Sequence, residues 1–315
     1  MRLQKIKIAH LETLNNVFLA PLAGYTNAVF RNMCYNLGAG LTFTEMVSAK
    51  GLCYDSKKTE DLLYITEGYG GIKACQIFGA DPVYMRRACE SEALEPFELV
   101  DINMGCPAPK IYKNGEGSAL LNNLPLASKI ISECKKSGKA VSVKFRIGVD
   151  GTKYVSAEFA KMCEDSGADM ICVHGRTRDK MYLGEVNFKE IAAAKNAVKI
   201  PVIANGGIFT PEDADFLMDK TGADGVMIAR GGMFNPWLFA EITGTPTGDK
   251  RQTVLNQIAD MRTIYGERFT CVYMRKMVGF YIKGQPNASN LRLELLNCKT
   301  TQEVEIIVKG DVIWK

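Results

Sequence analysis

Residues 202–232 read VIANGGIFTPEDADFLMDKTGADGVMIARGG. A short apolar run at Val202–Ala204 leads through an Asn-Gly-Gly turn to Pro211–Thr221, where apolar residues recur at three- and four-residue spacing. The first turn of a helix tolerates a proline, and Gly222 stands where such a helix commonly ends. A second apolar run, Gly225–Ala229, follows. The segment therefore predicts a strand, a helix and a second strand parallel to the first.

The same alternation extends back to the start of the chain. The predicted strands lie near Val17–Ala20, Leu41–Thr44, Ile72–Ile77, Leu99–Asn103, Val141–Phe145, Met170–His174, Val202–Ala204 and Gly225–Ala229. Further helical patterns lie at Asn27–Leu37, Pro82–Leu94, Leu124–Lys136 and Tyr154–Ser166. Eight such units in about 230 residues predict a closed (β/α)8 TIM barrel. The alternative is an open doubly wound sheet, whose usual Gly-x-Gly-x-x-Gly after the first strand is replaced here by Pro21-Leu-Ala-Gly-Tyr.

The pattern changes after about Glu241. Residues 244–248 are rich in glycine, threonine and proline, as in a linker, and Thr253–Lys283 is helical in pattern without strands. Val304–Trp314 fits either a helix or a strand. We therefore expect a barrel domain at residues 1–240 and a small helical domain at residues 241–315.

Composition limits the class of protein. The chain has 315 residues and a net charge of +4, which permits a polyanionic partner without demanding one. It has no run of about 18 apolar residues, and its first 16 residues lack the features of a secretory signal. Ten cysteines without a Cys-x-x-Cys pair argue against a zinc site or a redox dithiol. We expect a cytoplasmic monomer with reduced thiols, no membrane association and no metal.

Polar groups follow most of the predicted strands. In a barrel, function collects at the carboxyl ends of the strands. Those ends carry Pro21, Glu45, Gln76, Asn103, Lys144, His174, Asn205 and Arg230. Each could be a simple strand cap, but together they predict a polar ring around one mouth of the barrel.

Two glycine turns and a lysine suggest a phosphorylated cofactor. Asn205-Gly206-Gly207 and Ala229-Arg230-Gly231-Gly232 could direct backbone N–H groups at a phosphate, although plain tight turns are the alternative. Lys144 needs a negative partner if it is buried, and the N1–C2=O edge of a reduced flavin provides one. These features together suggest FMN. A sugar phosphate, pyridoxal phosphate, or a surface salt bridge of Lys144 remain alternatives.

Cys106 lies in the segment Asp101-Ile-Asn-Met-Gly-Cys-Pro107, directly after a strand. A free thiol has a pKa of about 8.5, so it is protonated at neutral pH and can act as a general acid. A nucleophilic role would need a histidine, and His174 is a candidate from another strand end. The third interpretation is that Cys106 is a small buried side chain with a purely structural role, as most cysteines are.

The motifs resemble those of the tRNA-dihydrouridine synthases, and in particular the bacterial branch called DusB. The resemblance covers about residues 17–240 in the family's order, and the helical tail is similar too. It rests on Ala20–Asn27 with Phe30-Arg31, Gln76–Gly79, Asp101–Pro107, Gly115–Leu120, Val143–Gly148, His174–Arg178, Ile203–Gly206, Met274–Lys276 and Tyr281–Gly284.

The resemblance implies an FMN enzyme that reduces the C5=C6 bond of uridine in tRNA with electrons from NADPH. By position, the cofactor-binding residues would be Pro21, Leu22, Ala23, Gln76, Lys144, His174, Asn205, Gly206, Gly207, Ala229 and Arg230. Cys106 would protonate C5 after hydride reaches C6. Substrate contacts would come from Asn103, Lys110, Lys113 and Arg176, and from Arg275 and Lys276 in the tail.

The chain departs from the family pattern at four positions. The family usually has Asp at Gly207, Gly at Ala229, Met at Leu22 and Asp at Asn27. The first two changes lie in the proposed phosphate turns and leave their geometry open.

The tail adds a charge argument. From Glu241 onward there are 11 basic and 8 acidic residues, a net of +3. Arg268, Arg275, Lys276 and Lys283 are spaced to share one face of a helix, where they could meet RNA phosphates or simply face solvent. The basic tail argues against the main alternative enzyme, a dihydroorotate-dehydrogenase-like flavoprotein acting on a free pyrimidine.

Overall fold

A computed structural model describes residues 2–54, 56–310, 312 and 314, and it contains a closed barrel of eight parallel strands. The described strands are β1 Lys7–Ile8, β2 Leu11–Glu12, β3 Val17–Leu19, β4 Leu41–Ser48, β5 Ala74–Phe78, β6 Leu99–Met104, β7 Ala140–Arg146, β8 Met170–His174, β9 Val202–Asn205 and β10 Gly225–Ile228. The strand order around the barrel is β10-β3-β4-β5-β6-β7-β8-β9. The TIM-barrel prediction is therefore confirmed.

The two-residue period of the strands separates two kinds of side chain. On β6, Val100 and Ile102 pack outward against the surrounding helices, whereas Leu99 belongs to the interior cluster at the amino-terminal end of the barrel. Asp101 and Asn103 share the inward face with Leu99. Polar side chains in the interior therefore lie toward the carboxyl ends of the strands, where a TIM barrel places its site.

A short hairpin, which the sequence pattern did not predict, closes the amino-terminal end of the barrel. Strands β1 and β2 pair antiparallel, and Ile6, Ile8 and Leu11 pack against the interior apolar cluster. Apolar side chains of the described residues fill the amino-terminal end of the barrel, whereas the carboxyl-terminal mouth is open to a ligand.

Helices surround the barrel and form the tail. They are α1 Ala28–Asn36, α2 Ala49–Leu52, α3 Lys57–Glu60, α4 Pro82–Cys89, α5 Pro109–Lys113, α6 Leu124–Lys135, α7 Ser156–Asp165, α8 Phe188–Ala197, α9 Pro211–Thr221, α10 Arg230–Phe234, α11 Leu238–Thr243, α12 Lys250–Tyr265, α13 Glu267–Tyr281, α14 Ala288–Asn297 and α15 Thr301–Gly310, with 3-10 turns at Asp61–Leu63, Glu92–Leu94 and Gly117–Asn122. Asn27, where the family usually has Asp, caps α1 by accepting from the Phe30 N–H, a role that either residue performs.

The carboxyl-terminal region is helical, as predicted. The ambiguous stretch 304–314 is helical as far as Gly310, and residues 311 and 313 lie outside the described part. Helix α11, which packs against α9 of the barrel, spans the expected boundary at residue 241. No helix among the described residues is long and apolar enough to cross a membrane.

Tyrosines of the tail anchor it to the loop after the first barrel strand. The Tyr273 hydroxyl donates to the Tyr25 carbonyl at 2.6 Å, and the Tyr265 hydroxyl accepts from the Ala28 N–H at 3.2 Å. Both tyrosines therefore lie at the interface between the tail and the barrel domain. The tail lies beside the mouth of the barrel, because Tyr25 and Ala28 belong to the segment that follows β3.

Candidate active site

A cavity opens at the carboxyl ends of the barrel strands. Its volume is about 170 Å3. Its walls include Pro21, Leu22, Ala23, Gln76, Asn103, Cys106, Lys144, His174, Arg176, Asn205, Gly206, Gly207, Ala229 and Arg230. Every predicted cofactor residue lies there, together with Cys106 and two of the predicted substrate residues.

The turn after β9 has a backbone conformation that favours glycine. Gly206 and Gly207 have φ values of 128° and 77°, a region that residues with side chains rarely adopt. A Cβ on Gly206 would also lie 3.1 Å from Cδ2 of His174. Within the described part of the chain, the N–H groups of both glycines donate no hydrogen bond. These two free donors at the cavity wall fit a bound phosphate.

The turn after β10 tolerates its departure from the family pattern. Ala229 has a φ of −107°, so this position needs no glycine. Gly207, where the family usually has Asp, has a φ of 77°, a left-handed conformation that glycine adopts freely and that Asp adopts more often than most residues with side chains. Neither change therefore disturbs the backbone that lines the cavity.

Lys144 is half-buried, and no carboxylate of the described residues forms a salt bridge with it. Its Nζ donates to Oδ1 of Asn205 at 3.2 Å, and the Asn205 amide donates to the Met227 carbonyl at 2.7 Å. Burial lowers the pKa of Lys144, because the low-dielectric surroundings disfavour the charged amine. The surface-salt-bridge reading of Lys144 is therefore wrong.

Three arginines join Lys144 in the cavity wall. Arg146 is buried and donates to the carbonyls of Gly105, Thr177 and Met181 at 2.8–2.9 Å. Among the described residues, no carboxylate forms a salt bridge with Lys144 or with the cavity-lining arginines Arg146, Arg176 and Arg230. The cavity therefore carries a positive charge that suits an anionic ligand.

His174 is neutral in this setting. Burial, followed by repulsion from the four nearby cations, holds the pKa of His174 well below its usual value. A neutral imidazole can donate one hydrogen bond and accept another, but it adds no further positive charge to the cavity.

Sequence reasoning missed several residues of the wall. Arg146 lies two residues after Lys144 on β7, so the strand period could have identified it. Tyr182 comes from the loop after β8, and the guanidinium of Arg230 lies 4.7 Å from the centroid of its ring. No sequence signal marks that contact, because it joins the loop after β8 to the first residue of α10.

Cys106 lies half-buried at the cavity wall on a well-held loop. Its N–H donates to Oδ1 of Asn103 at 2.8 Å, and the Ser118 hydroxyl donates to its carbonyl at 2.7 Å. Burial raises the pKa of the Cys106 thiol, so the thiol is protonated at neutral pH. No hydrogen bond within the described residues joins it to His174. The arrangement suits a proton donor better than a histidine-activated nucleophile.

The predicted substrate lysines near Cys106 lie outside the cavity. Lys110 and Lys113 are exposed on α5, the short helix that begins three residues after Cys106. They flank the mouth rather than line it, so they could reach only a ligand larger than the cavity.

Arg275 departs from the sequence expectation of a free basic face. Its Nη1 donates to the carbonyls of Leu296 and Cys298, both at 3.0 Å. These carbonyls lie at the carboxyl end of α14, where backbone acceptors lack helical partners. Arg275 therefore holds α13 against α14, a structural role that the helical spacing did not reveal.

Lys276 and Lys283 instead turn toward aromatic rings. The Nζ of Lys276 lies 4.0 Å from the centroid of Tyr25, and that of Lys283 lies 5.1 Å from the centroid of Phe234. Lys276 thus lies where the tail meets the barrel loop after β3, while Arg268 is exposed. The four basic residues do not form one uniform face.

Comparisons with known proteins agree with one another. A family model described as dihydrouridine synthase (Dus) matches residues 18–313. The chain is 37% identical over 298 residues to tRNA-dihydrouridine synthase B of Vibrio parahaemolyticus, covering 91% of this chain and 92% of the relative. It is 38% identical over 294 residues to that of Pasteurella multocida, covering 90% and 88%.

Solved structures resemble the barrel. A histamine dehydrogenase from Rhizobium sp. 4-9 aligns with a TM-score of 0.59 at 14% identity, over 83% of this chain and 50% of that one. A morphinone reductase aligns with a TM-score of 0.56 at 12% identity, over 79% and 92%. At these identities the likeness extends to the fold alone.

Proposed function

Because this chain belongs to the dihydrouridine synthase family, we propose that it reduces the C5=C6 bond of specific uridines in tRNA to dihydrouridine, with FMN as cofactor and NADPH as electron donor. The observation that carries this proposal is the cavity itself. Among the described residues, it combines four cationic side chains that form no salt bridge, two backbone N–H groups that donate no hydrogen bond, and a protonated thiol.

The residues present fit FMN. Gly206 and Gly207 would bind its phosphate through their N–H groups, with Arg230 nearby. Lys144 would face the part of the ring that becomes anionic on reduction, and Pro21–Ala23 would lie against the ring. Bound there, FMN would supply the two electrons of the reduction to C6 of the uracil.

Cys106 supplies the proton that completes the product. Its thiol would give a proton to C5 of the uracil and remain as a thiolate, which regains a proton from solvent. The target base has to leave its stack to reach this cavity. Asn103 and Arg176 lie in the same wall and are the candidates for holding the uracil.

The experiment that tests the proposal uses the purified wild-type protein. We expect bound FMN with its visible absorbance, bleaching on addition of NADPH, and recovery of the absorbance on addition of tRNA that lacks dihydrouridine. Fully modified tRNA and free uridine monophosphate are the controls, and neither should restore the absorbance. A colourless protein, or equal recovery with the free nucleotide, would contradict the proposal.

Contacts to tRNA are expected beyond the cavity. The double variant Lys110→Glu/Lys113→Glu should weaken tRNA binding and reduce the slope of log affinity against log salt by about two, one for each lost phosphate contact. NADPH-driven bleaching without RNA should be unchanged, because both lysines lie outside the cavity. Lys7→Glu, which reverses an exposed charge at the opposite end of the barrel, is the control. An unchanged salt slope in the double variant would show that α5 does not touch the RNA.

A further inference from the structure

Asp101 is a buried carboxylate that does not line the cavity. Its side chain is 1% exposed and lies on β6 between two neighbouring strands. Oδ1 accepts from the Ser142 hydroxyl at 2.6 Å, and Oδ2 accepts from Nε2 of Gln76 at 2.7 Å. Burial raises its pKa to about 6, while the hydrogen bonds from Gln76 and Ser142 and the charge of Lys144 oppose that rise. Both oxygens of this buried carboxyl group therefore act as hydrogen-bond acceptors.

Gln76 continues a chain of hydrogen bonds toward Cys106. Its Oε1 accepts from Nδ2 of Asn103 at 2.8 Å. Oδ1 of Asn103 then accepts from the N–H groups of Gly105 and Cys106 at 3.1 and 2.8 Å. The chain therefore joins Asp101 to the loop that carries the thiol through two side-chain amides.

The carboxylate decides which way both amides point. A side-chain amide can be turned over with little change of shape, which exchanges its donor and its acceptor. Because Oδ2 of Asp101 accepts a hydrogen bond, the NH2 of Gln76 faces Asp101 and its oxygen faces Asn103. The Asn103 oxygen is then left for the loop. In the reverse orientation, the Asn103 NH2 would meet two N–H donors.

We propose that Asp101 is a positioning residue, which orients the amides of Gln76 and Asn103 and thereby holds the Cys106 loop with its thiol at the cavity wall. The inference rests on the proposed function for its effect on catalysis, although the effect on the loop is independent of any activity. Asp101 itself touches neither cofactor nor substrate.

The test combines hydrogen exchange with single-turnover kinetics. In Asp101→Leu, the Cys106 amide proton should exchange about tenfold faster and prereduced enzyme should react with tRNA about tenfold more slowly, as expected when a buried hydrogen-bond chain is lost. Ser142→Ala removes the other hydrogen bond of the same carboxylate and leaves the chain intact, so both rates should stay within about twofold of wild type.

A swap variant provides the rescue. In Asp101→Asn/Gln76→Glu, the carboxylate moves from position 101 to position 76, the next member of the row of hydrogen bonds. It can still accept from the Asn103 NH2 there, so the Cys106 amide proton should exchange as slowly as in wild type. The proposal would be overturned if the Cys106 amide proton exchanged at the wild-type rate in Asp101→Leu, or if it exchanged faster than wild type in the swap variant. If Asp101→Leu does not fold, the swap variant alone decides. If the exchange results hold and wild-type protein fails to reduce tRNA, the proposed function is at fault and the positioning role stands.

Discussion

Replacing Cys106 by alanine is expected to slow the reaction of prereduced enzyme with unmodified tRNA at least about a hundredfold, the lower limit of general-acid assistance. The thiol lies at the cavity wall, burial raises its pKa, and the loop that carries it is held by Asn103 and Ser118. The variant should keep its FMN, bleach normally with NADPH and bind tRNA, because Cys106 serves only the proton transfer.

Single-turnover recovery of flavin absorbance measures this step directly. Cys106→Ser should be nearly as slow as the alanine variant, since a hydroxyl is a much weaker acid than a thiol. Cys53→Ala is the matched control, because Cys53 is also half-buried but lies outside the cavity. Recovery at the native rate in Cys106→Ala would exclude this thiol as the acid and direct attention to His174 or to bound water.

Lys144→Met should reduce the rate of NADPH-driven bleaching by about 10²–10³-fold, the usual cost of removing one group that stabilises a developing anion. Methionine keeps the length of the side chain but removes the charge. Burial already disfavours the charged lysine, so its pKa lies below the ordinary value, and a bound anion would raise that pKa again. Reduced FMN should therefore bind the wild-type protein more tightly at pH values below the lowered pKa of Lys144 than at pH values above it, and this dependence should vanish in Lys144→Met.

Flavin content after dialysis and stopped-flow bleaching measure the two effects. Lys129→Met, a replacement of an exposed lysine on α6, is the control for the loss of one positive charge. Normal flavin content together with a native bleaching rate in Lys144→Met would remove Lys144 from the flavin site.

The local pattern of the sequence determined the barrel and the place of its site. The unit at residues 202–232 has the periods of a strand, a helix and a strand, and its repetition leaves few folds other than a closed parallel barrel. Since parallel strands end at the same edge, the polar residues after them had to converge, and Gln76, Lys144 and Asn205 do so. The position of Cys106 directly after such a strand also made its free thiol a candidate general acid.

Only the tertiary structure decided which of these groups touch. Lys144 and Asn205 are 61 residues apart and meet because the barrel closes with a particular register between its strands. The role of Asp101 likewise depends on the neighbouring strands that bring Gln76 and Ser142 to its two oxygens.

The hairpin β1–β2 and the hydrogen bonds of Arg275 were also beyond the reach of the sequence. Each strand of the hairpin has two residues, which is too short to show a period, and the hairpin is fixed by the apolar floor that it covers. Arg275 has the spacing of a solvent-facing residue, and only the nearby end of α14 gives its guanidinium a partner. Periodicity reports which face of an element is apolar, whereas hydrogen-bond partners depend on distances between elements that only the packed chain sets.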